Sequence, residues 1–377
     1  MPLKTLSGKH ADPRKGRGAG INPEGRFENV TREAFDDGWS QPTAAGEARG
    51  ERGEADNPLP LLKTHVTAEH AKSIISHNDS PDIPFTQSIN PYRGCEHGCS
   101  YCYSRPSHAY LNLSPGIDFE TRLFAKVNAA ELLRRELSKP GYRCEVISLG
   151  ANTDPYQPIE RRWKITRGIL EVCAEFNQPV GIVTKNAMVE RDIDILAAMA
   201  EKRLANVFIS CNNLDHDLAR RLEPRCPAPR RRLEAIRRLS EAGIPVGVLV
   251  APVIPFLTDH QIEPVLQAAW DHGARAAGYV LMRLPWEVKD LFKDWLERHY
   301  PLKAKHVMSR VHEMRGGRDN DPGFGSRMRG SGELADLLAR RFDIACKRIG
   351  FNGERRNRAL DTTRFRVPGR AEQLPLF

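Results

Sequence analysis

Three cysteines, Cys95, Cys99 and Cys102, stand at C-x3-C-x2-C spacing in the run Cys95-Glu96-His97-Gly98-Cys99-Ser100-Tyr101-Cys102-Tyr103. This loop limits what the chain can fold into more than any other stretch. Thiolates so close in sequence make a chelating loop rather than a disulfide framework, and as soft ligands they suit zinc or an iron–sulfur cluster. A structural zinc closes its coordination with four ligands, usually as Cys or Cys/His pairs. No second pair follows the loop, and a loop histidine such as His97, the one candidate for a fourth zinc ligand, is more often solvated. A [4Fe–4S] cluster held by three cysteines keeps one iron open to a substrate or cofactor, and the incomplete ligand set favours that reading.

The 377 residues suffice for one α/β domain of ~200–250 residues with extensions, or for two domains. No apolar run is long enough to span a membrane. The N-terminus has Lys4, Lys9, Arg14, Lys15 and Arg17 without a following apolar stretch, so it does not read as a secretory signal. Eight cysteines, three of them in a chelating loop, fit a reducing compartment, and the expected location is cytoplasmic. The net charge of +9 favours polyanionic partners such as nucleic acid. Residues 310–370 hold 14 Arg and 1 Lys against 8 acids, and a second basic cluster comprises Arg220, Arg221, Arg225, Arg230, Arg231, Arg232, Arg237 and Arg238. Arginine forks suit phosphates, although such residues also cover helix surfaces and pair with neighbouring carboxylates.

Residues 1–57 are rich in Gly, Arg, Glu and Asp, and read as a disordered segment with a possible docking piece around Phe27, Phe35 and Trp39. Residues 58–84 form a lead-in with a short helix near Ala68–Ser76. Strands are expected at Phe85–Tyr92, Glu145–Leu149, Val180–Thr184, Asn206–Ser210, Val246–Ala251 and Ala276–Met282. Helices alternate with them at Ala129–Leu137, Thr166–Phe176, Asp192–Glu201, Asp215–Leu222, Arg230–Ala242 and His260–His272. Val/Ile/Leu-rich strands separated by helices imply a parallel sheet covered on both faces. The expected fold is α/β, a partial (β/α)6 barrel over residues 85–285. A helical extension over 286–349 includes an amphipathic helix at Glu333–Ile349, and a basic tail covers 350–377. Sites on such folds lie at the C-terminal ends of strands, where the cysteine loop, Asn152–Gln157, Thr184–Asn186, Ser210–Asn213 and Pro252–Pro255 all fall.

The loop, with Tyr101 directly before its last cysteine, resembles that of the radical SAM enzymes. The segments Asn90-Pro91-Tyr92-Arg93-Gly94-Cys95, Cys102-Tyr103-Ser104-Arg105-Pro106, Thr153-Asp154-Pro155-Tyr156-Gln157-Pro158-Ile159-Glu160, Leu222-Glu223-Pro224-Arg225 and Ala242-Gly243-Ile244-Pro245-Val246 look like the branch that includes spore photoproduct lyase. This resemblance covers about residues 60–350. It implies a [4Fe–4S] cluster on Cys95, Cys99 and Cys102, with S-adenosylmethionine (SAM) on the open iron, cleaved to a 5′-deoxyadenosyl radical. It further implies that Asp154, beside Thr153, lies near the methionine end of SAM, that Lys185 pairs with its carboxylate, and that Ser210, with Asn212 nearby, stands at the fourth strand's end. An amino-acid cofactor needs an acceptor for its ammonium and a cation for its carboxylate, which agrees. Arg225 is a candidate for the SAM carboxylate or a substrate phosphate. Tyr101 and Tyr103 match loop tyrosines, one of which helps relay a hydrogen atom in the lyase. The resemblance puts Ala151 where the lyase has its hydrogen-donor cysteine, which argues against spore photoproduct itself as substrate; Cys144 is expected at the opposite end of the strand, Cys211 is the better local substitute, Cys173 reads as structural, and Cys226 and Cys346 have no evident partner.

The chain ends Gln373-Leu374-Pro375-Leu376-Phe377. This pentapeptide resembles the motif by which bacterial polymerases and repair proteins dock into the DNA sliding clamp, with Gln373, Leu374, Leu376 and Phe377 as anchors. The leading expectation is therefore a radical SAM enzyme acting on DNA, with a one-electron reductant such as flavodoxin or ferredoxin. The rivals are a radical SAM enzyme acting on RNA, a peptide or a small metabolite, and a non-catalytic iron–sulfur protein recruited to the clamp.

Overall fold

The computed structural model describes residues 16–27, 62–353 and 359–369. The clamp-like pentapeptide, Phe35 and Trp39 lie outside them. The chain forms ten strands: β1 (His65–Glu69), β2 (Ile75–His77), β3 (Gln87–Ile89), β4 (Tyr92–Arg93), β5 (Arg122–Lys126), β6 (Ile147–Leu149), β7 (Val180–Thr184), β8 (Ala205–Ser210), β9 (Val246–Val253) and β10 (Ala276–Leu281). The main sheet runs β10-β9-β8-β7-β6-β3-β2. Six of its strands, from β3 to β10, are parallel, and β2 pairs antiparallel to β3 at the edge. Because β3 and β10 do not pair, the barrel stays open, as expected for a partial (β/α)6 barrel.

Alternation along the strands divides the sheet into two faces. Ile147, Leu149, Ile182, Ile209, Val248 and Val250 are fully buried in the main core, while Ser148, Val183, Ser210, Leu249, Ala251 and Val280 line the barrel cavity. The crossover helices are amphipathic for the same reason. In Ile165–Phe176, residues Ile165, Ile169, Val172, Cys173 and Phe176 recur at helical spacing and are buried. Helices Val288–His299 and Pro301–Glu313 form a second core around Trp295, Phe292 and Val307, and Glu333–Ile349 packs against Ile262–Asp271.

Two parts of the fold differ from the expectation. The lead-in holds strands β1 and β2 instead of a helix, because β1 finds a parallel partner in β5, and β5 also pairs with β4 beside the cysteine loop. Residues 16–27, inside the segment read as disordered, are fixed by specific contacts. Glu120 accepts from the backbone N–H of Gly18 and Ala19, and buried Arg17 donates to the carbonyls of Glu120 and Leu62.

Behind the loop, fully buried His108 holds the Arg122 carbonyl at 2.9 Å from Nε2, leaving Nδ1 without a partner. It is packed against Phe119 and Phe124, with Asp118 and Arg105 as the nearby charges. Burial lowers its pKa from 6.5 to about 4. The unfolded chain therefore binds a proton between those values that the folded chain rejects, and stability falls as pH drops through this window. The loss reaches ~3 kcal/mol at pH 4. Urea unfolding at pH 7 and pH 4.5 is expected to show this fall, with His108→Gln flattening it; an unchanged pH slope in His108→Gln would contradict the assignment.

Candidate functional site

The cavity at the C-terminal ends of the barrel strands has a volume of about 320 Å³, within the range of small-molecule sites. Cys95, Cys99 and Cys102 open into it, with His97, Asp154 and Lys185 on the same side. A larger open groove of about 680 Å³ lies at the opposite ends of the strands, where Thr86, Gln87, Arg143 and Glu145 contribute, and it contains no thiol. The chemistry-bearing residues converge on the smaller cavity.

The loop's shape is set by its glycine and by its backing. Gly98 has φ +67°, and a Cβ there would lie 2.6 Å from a Glu120 carboxylate oxygen. Gly18 presses on the loop's outer side so closely that its own Cβ would meet the Gly98 carbonyl oxygen at 1.7 Å. Neither position admits a side chain. Arg105, fully buried, donates from Nε to the Cys99 carbonyl at 2.9 Å and pairs with Glu120 at 2.5 Å. The cysteine backbone is thus held by an ion pair that also anchors residues 18 and 19.

His97 is buried between Asp154, 3.4 Å from its Nδ1, and Asn186, 3.1 Å from its Nε2. Burial opposes its charge, but the Asp154 carboxylate and the Cys95 thiol outweigh burial and raise its pKa to about 10. Both ring nitrogens of His97 are thus taken up by Asp154 and Asn186, which speaks against its use as a fourth zinc ligand. Asp154 is a junction between strand ends. Its Oδ1 accepts from Thr184 Oγ1 at 2.6 Å and Tyr156 N at 2.9 Å, and its Oδ2 from Lys185 N at 2.8 Å, with His97 on the same oxygen. Those bonds use most of the carboxylate's acceptor capacity, so Asp154, which the resemblance places near the methionine end of SAM, stands at the cavity with its oxygens already engaged. Lys185 lines the cavity. Burial works against its charge, but Cys99, Glu223, Cys226 and Asp154 more than compensate and raise its pKa.

Below the thiols lies a buried network that the sequence reading missed. Tyr101 donates its hydroxyl to Glu223, whose other oxygen pairs with buried Arg232. Arg232 also donates to the Ser210 carbonyl at 3.0 Å, which ties the loop to the end of β8. Among Arg225, Arg230, Arg231 and Arg232 the sequence does not mark which one is buried with Glu223, although such residues are rarely buried unless paired. The network brings Cys226 Sγ to 3.9 Å from Cys99 Sγ. In cluster-free protein, diamide is expected to join these two thiols, taking up the two hydrogens that leave them. The cross-linked peptide would be read by mass spectrometry and lost in Cys226→Ser. Its absence from wild-type digests would contradict this proximity.

Of the remaining expected residues, Tyr103 and Ser210 line the cavity. Tyr103 is 47% exposed and donates its hydroxyl to the carbonyl of Ala151. Four others do not line it. Thr153 is buried and donates to the Tyr92 carbonyl at 2.9 Å. Asn212 turns its amide oxygen to Asn213, leaving its buried Nδ2 unpaired. Cys211 is fully buried, bonds the Asn213 carbonyl at 3.4 Å, and has its pKa pushed up to about 11 by burial, so it is placed as a packing residue and not as a donor facing the cavity. Arg225 pairs with Glu96 at 2.5 Å. Arg231, Arg237 and Arg238 of the same basic cluster likewise pair with Glu190, Glu234 and Glu241, so much of that cluster serves the fold rather than an external phosphate. The sequence reading also missed Arg283, which lines the cavity, lies 5.7 Å from the Tyr103 ring, and has an unpaired buried Nε.

The donor set fits an iron–sulfur cluster with one open position and an amino-acid cofactor beside it. Three soft thiols share one wall, a lysine stands next to them, and Val183, Leu249, Ala251 and Val280 give an apolar surface for the rest of a nucleoside-sized molecule. Residues 89–269 match the model of the radical SAM superfamily. An uncharacterized protein of Mycobacterium tuberculosis is 37% identical over 234 residues, covering 62% of this chain and 68% of its own. Another, from Methanocaldococcus jannaschii, is 27% identical over 249 residues, covering 66% and 89%. Among solved structures, spore photoproduct lyase complexed with dinucleoside spore photoproduct shares the fold, with a TM-score of 0.57 at 17% identity over 80% of this chain and 86% of that one. The superfamily's cofactors are a [4Fe–4S] cluster and SAM, the pair that the cavity's thiols and lysine suit. By its matched core, its relative and its cysteine loop, this chain belongs to the radical SAM superfamily.

Proposed function

We propose that this radical SAM enzyme acts on DNA, taking one nucleotide of a damaged or modified strand into the mouth of the barrel. The observation that carries the proposal is Arg283. Its guanidinium lines the same cavity as the three thiols, it makes no ion pair among the described residues, and its Nε lacks a partner. A desolvated guanidinium without a carboxylate suits an anionic group such as a phosphate. It lies 5.7 Å from the ring of Tyr103, which lines the same cavity. The fold shared with a lyase that binds a dinucleoside lesion supports the same reading. So does the clamp-like pentapeptide Gln373–Phe377, proposed here to bring the enzyme to DNA through the sliding clamp.

When bound, the cluster and SAM together supply one-electron reductive cleavage of SAM and hence hydrogen abstraction from a substrate. In this proposal Cys95, Cys99 and Cys102 hold the cluster, and Lys185 offers its ammonium to the SAM carboxylate. Asp154 keeps the Lys185 backbone and Thr184 in place, acting through position rather than contact. Tyr103 Oη donates to the Ala151 carbonyl, and both residues line the same cavity. Val183, Leu249 and Val280 exclude water from the space between.

The test is anaerobic incubation with SAM, reductant and ultraviolet-irradiated duplex DNA, with product nucleosides read by mass spectrometry. Conversion of a DNA lesion, reduced at least tenfold in Arg283→Ala, is the expected result. Turnover stimulated by tRNA or peptide and not by any DNA would overturn the DNA assignment.

A further inference from the structure

Three exposed aromatic rings gather around a partly buried arginine in a cluster that no step of the chemistry uses. Phe27, Tyr110 and Trp286 are 48%, 68% and 62% exposed. Arg26 sits among them, its guanidinium carbon 4.1 Å from the Trp286 ring centroid, 5.2 Å from Phe27 and 5.6 Å from Tyr110. The Phe27 and Tyr110 rings are themselves 5.0 Å apart. Three segments distant in sequence thus put their aromatic rings around one cation.

The cluster is linked in sequence to residues that line the cavity. Trp286 follows Arg283 by three residues, and Tyr110 ends the short helix Arg105–Leu111 that begins just after Tyr103. Arg26 donates to the Pro106 carbonyl at 3.1 Å on that helix. Arg283 over Tyr103 in the mouth and Arg26 over Trp286 outside it therefore repeat one pairing of guanidinium and ring. Trp286 also has φ +47°, a conformation that bulky side chains rarely adopt. A strained backbone holding a large indole in solvent is costly twice over, and strain of this kind collects at binding sites.

We propose that Phe27, Tyr110 and Trp286, with Arg26, form a stacking platform for unpaired nucleotides flanking the base held in the cavity, an inference that rests on the nucleic-acid reading of that cavity. An enzyme reaching an atom of a base must take the base out of its stack, which leaves neighbours needing new partners. Aromatic faces accept any base, and the guanidinium, which lies 3.9 Å from a Glu287 carboxylate oxygen, holds the three rings together. A protein partner would call for a drier apolar centre than three half-exposed rings spread around a cation, so single-stranded or locally unpaired DNA is the occupant assigned.

The experiment uses the full-length, cluster-loaded protein under anaerobic conditions. Fluorescence anisotropy would compare an oligothymidylate of roughly ten nucleotides with an abasic deoxyribose-phosphate strand of equal length. The strand with bases is expected to bind about tenfold or more tightly, and Trp286→Ala to remove most of that difference while abasic binding stays put. Trp286→Phe should retain part of it. Equal binding of the two strands, or a Trp286→Ala that weakens both alike at an unchanged melting temperature, would overturn the platform. Base-dependent binding that needs Trp286, in a protein that converts no DNA lesion, would uphold the platform and sink the proposed DNA chemistry instead.

Discussion

Replacing Cys95, Cys99 or Cys102 by alanine is expected to abolish cluster assembly, so that anaerobically reconstituted variants hold background iron and lack the broad visible absorption of the wild type. The three thiols open into one cavity, and none of the remaining cysteines lines it. Cys226 approaches Cys99 without facing the cavity, and Cys211 points away. A two-cysteine remnant offers a four-iron cluster too few protein ligands, and the binding free energy of such a site is lost with its ligand set. Cys226→Ala should by contrast load iron normally. Full iron content in Cys102→Ala, or loss of it in Cys226→Ala alone, would reassign the ligands.

The second large effect concerns stability. Arg105 and Glu120 are both fully buried and 2.5 Å apart. Arg105→Ala would leave the Glu120 carboxylate without its cation in an interior where the remaining donors are the backbone N–H groups of Gly18 and Ala19. Breaking one side of such a pair costs about 3–5 kcal/mol, a large share of the ~5–15 kcal/mol that keeps an ordinary protein folded. The melting temperature should fall by on the order of 10 °C. Because Arg105 also carries the Cys99 carbonyl and the carbonyls of Pro115 and Gly116, the cysteine loop should loosen as well, with the cluster bleaching faster in air. A variant melting within about 1 °C of wild type would show that water or another cation replaces Arg105 at little cost.

Regularity in the sequence was a good guide where burial follows a period. Val180–Thr184, Ala129–Leu137 and Glu333–Ile349 have the bounds expected of them, since alternating or helical apolar residues leave each element one stable orientation. Short elements without such a period depended on their neighbours. The stretch from His65 to His77, with Ala68, Ala71 and Lys72, has helix-compatible composition, yet β1 exists because β5 lies alongside it. The residues around Arg17 have the composition of a solvated segment. Their order comes from partners far away in sequence, among them the Glu120 carboxylate about a hundred positions on and the Leu62 carbonyl.

The site divides in the same way. The cysteine spacing singled out the three thiols that share the cavity, and the strand ends brought Lys185 and Ser210 to it, with Tyr103 following from the loop. Thr153, Asn212, Cys211 and Arg225 are on the expected strand ends or loops but turn to internal partners. Their side-chain direction is decided by local packing, which spacing alone does not encode. Arg283 and the Glu223–Arg232 pair escaped notice because their meaning is spatial. One is defined by a missing partner, and the other by charges brought together beneath the loop.

The most direct test of the central claim is production of 5′-deoxyadenosine by the reconstituted, dithionite-reduced protein with SAM and damaged DNA, followed by chromatography. The account predicts 5′-deoxyadenosine from the wild type and none above background from Cys99→Ala. A wild-type protein with a full, reducible cluster that leaves SAM intact with every DNA, RNA and peptide substrate offered would contradict it, and would make the chain an iron–sulfur protein that uses the same cavity for something other than radical chemistry.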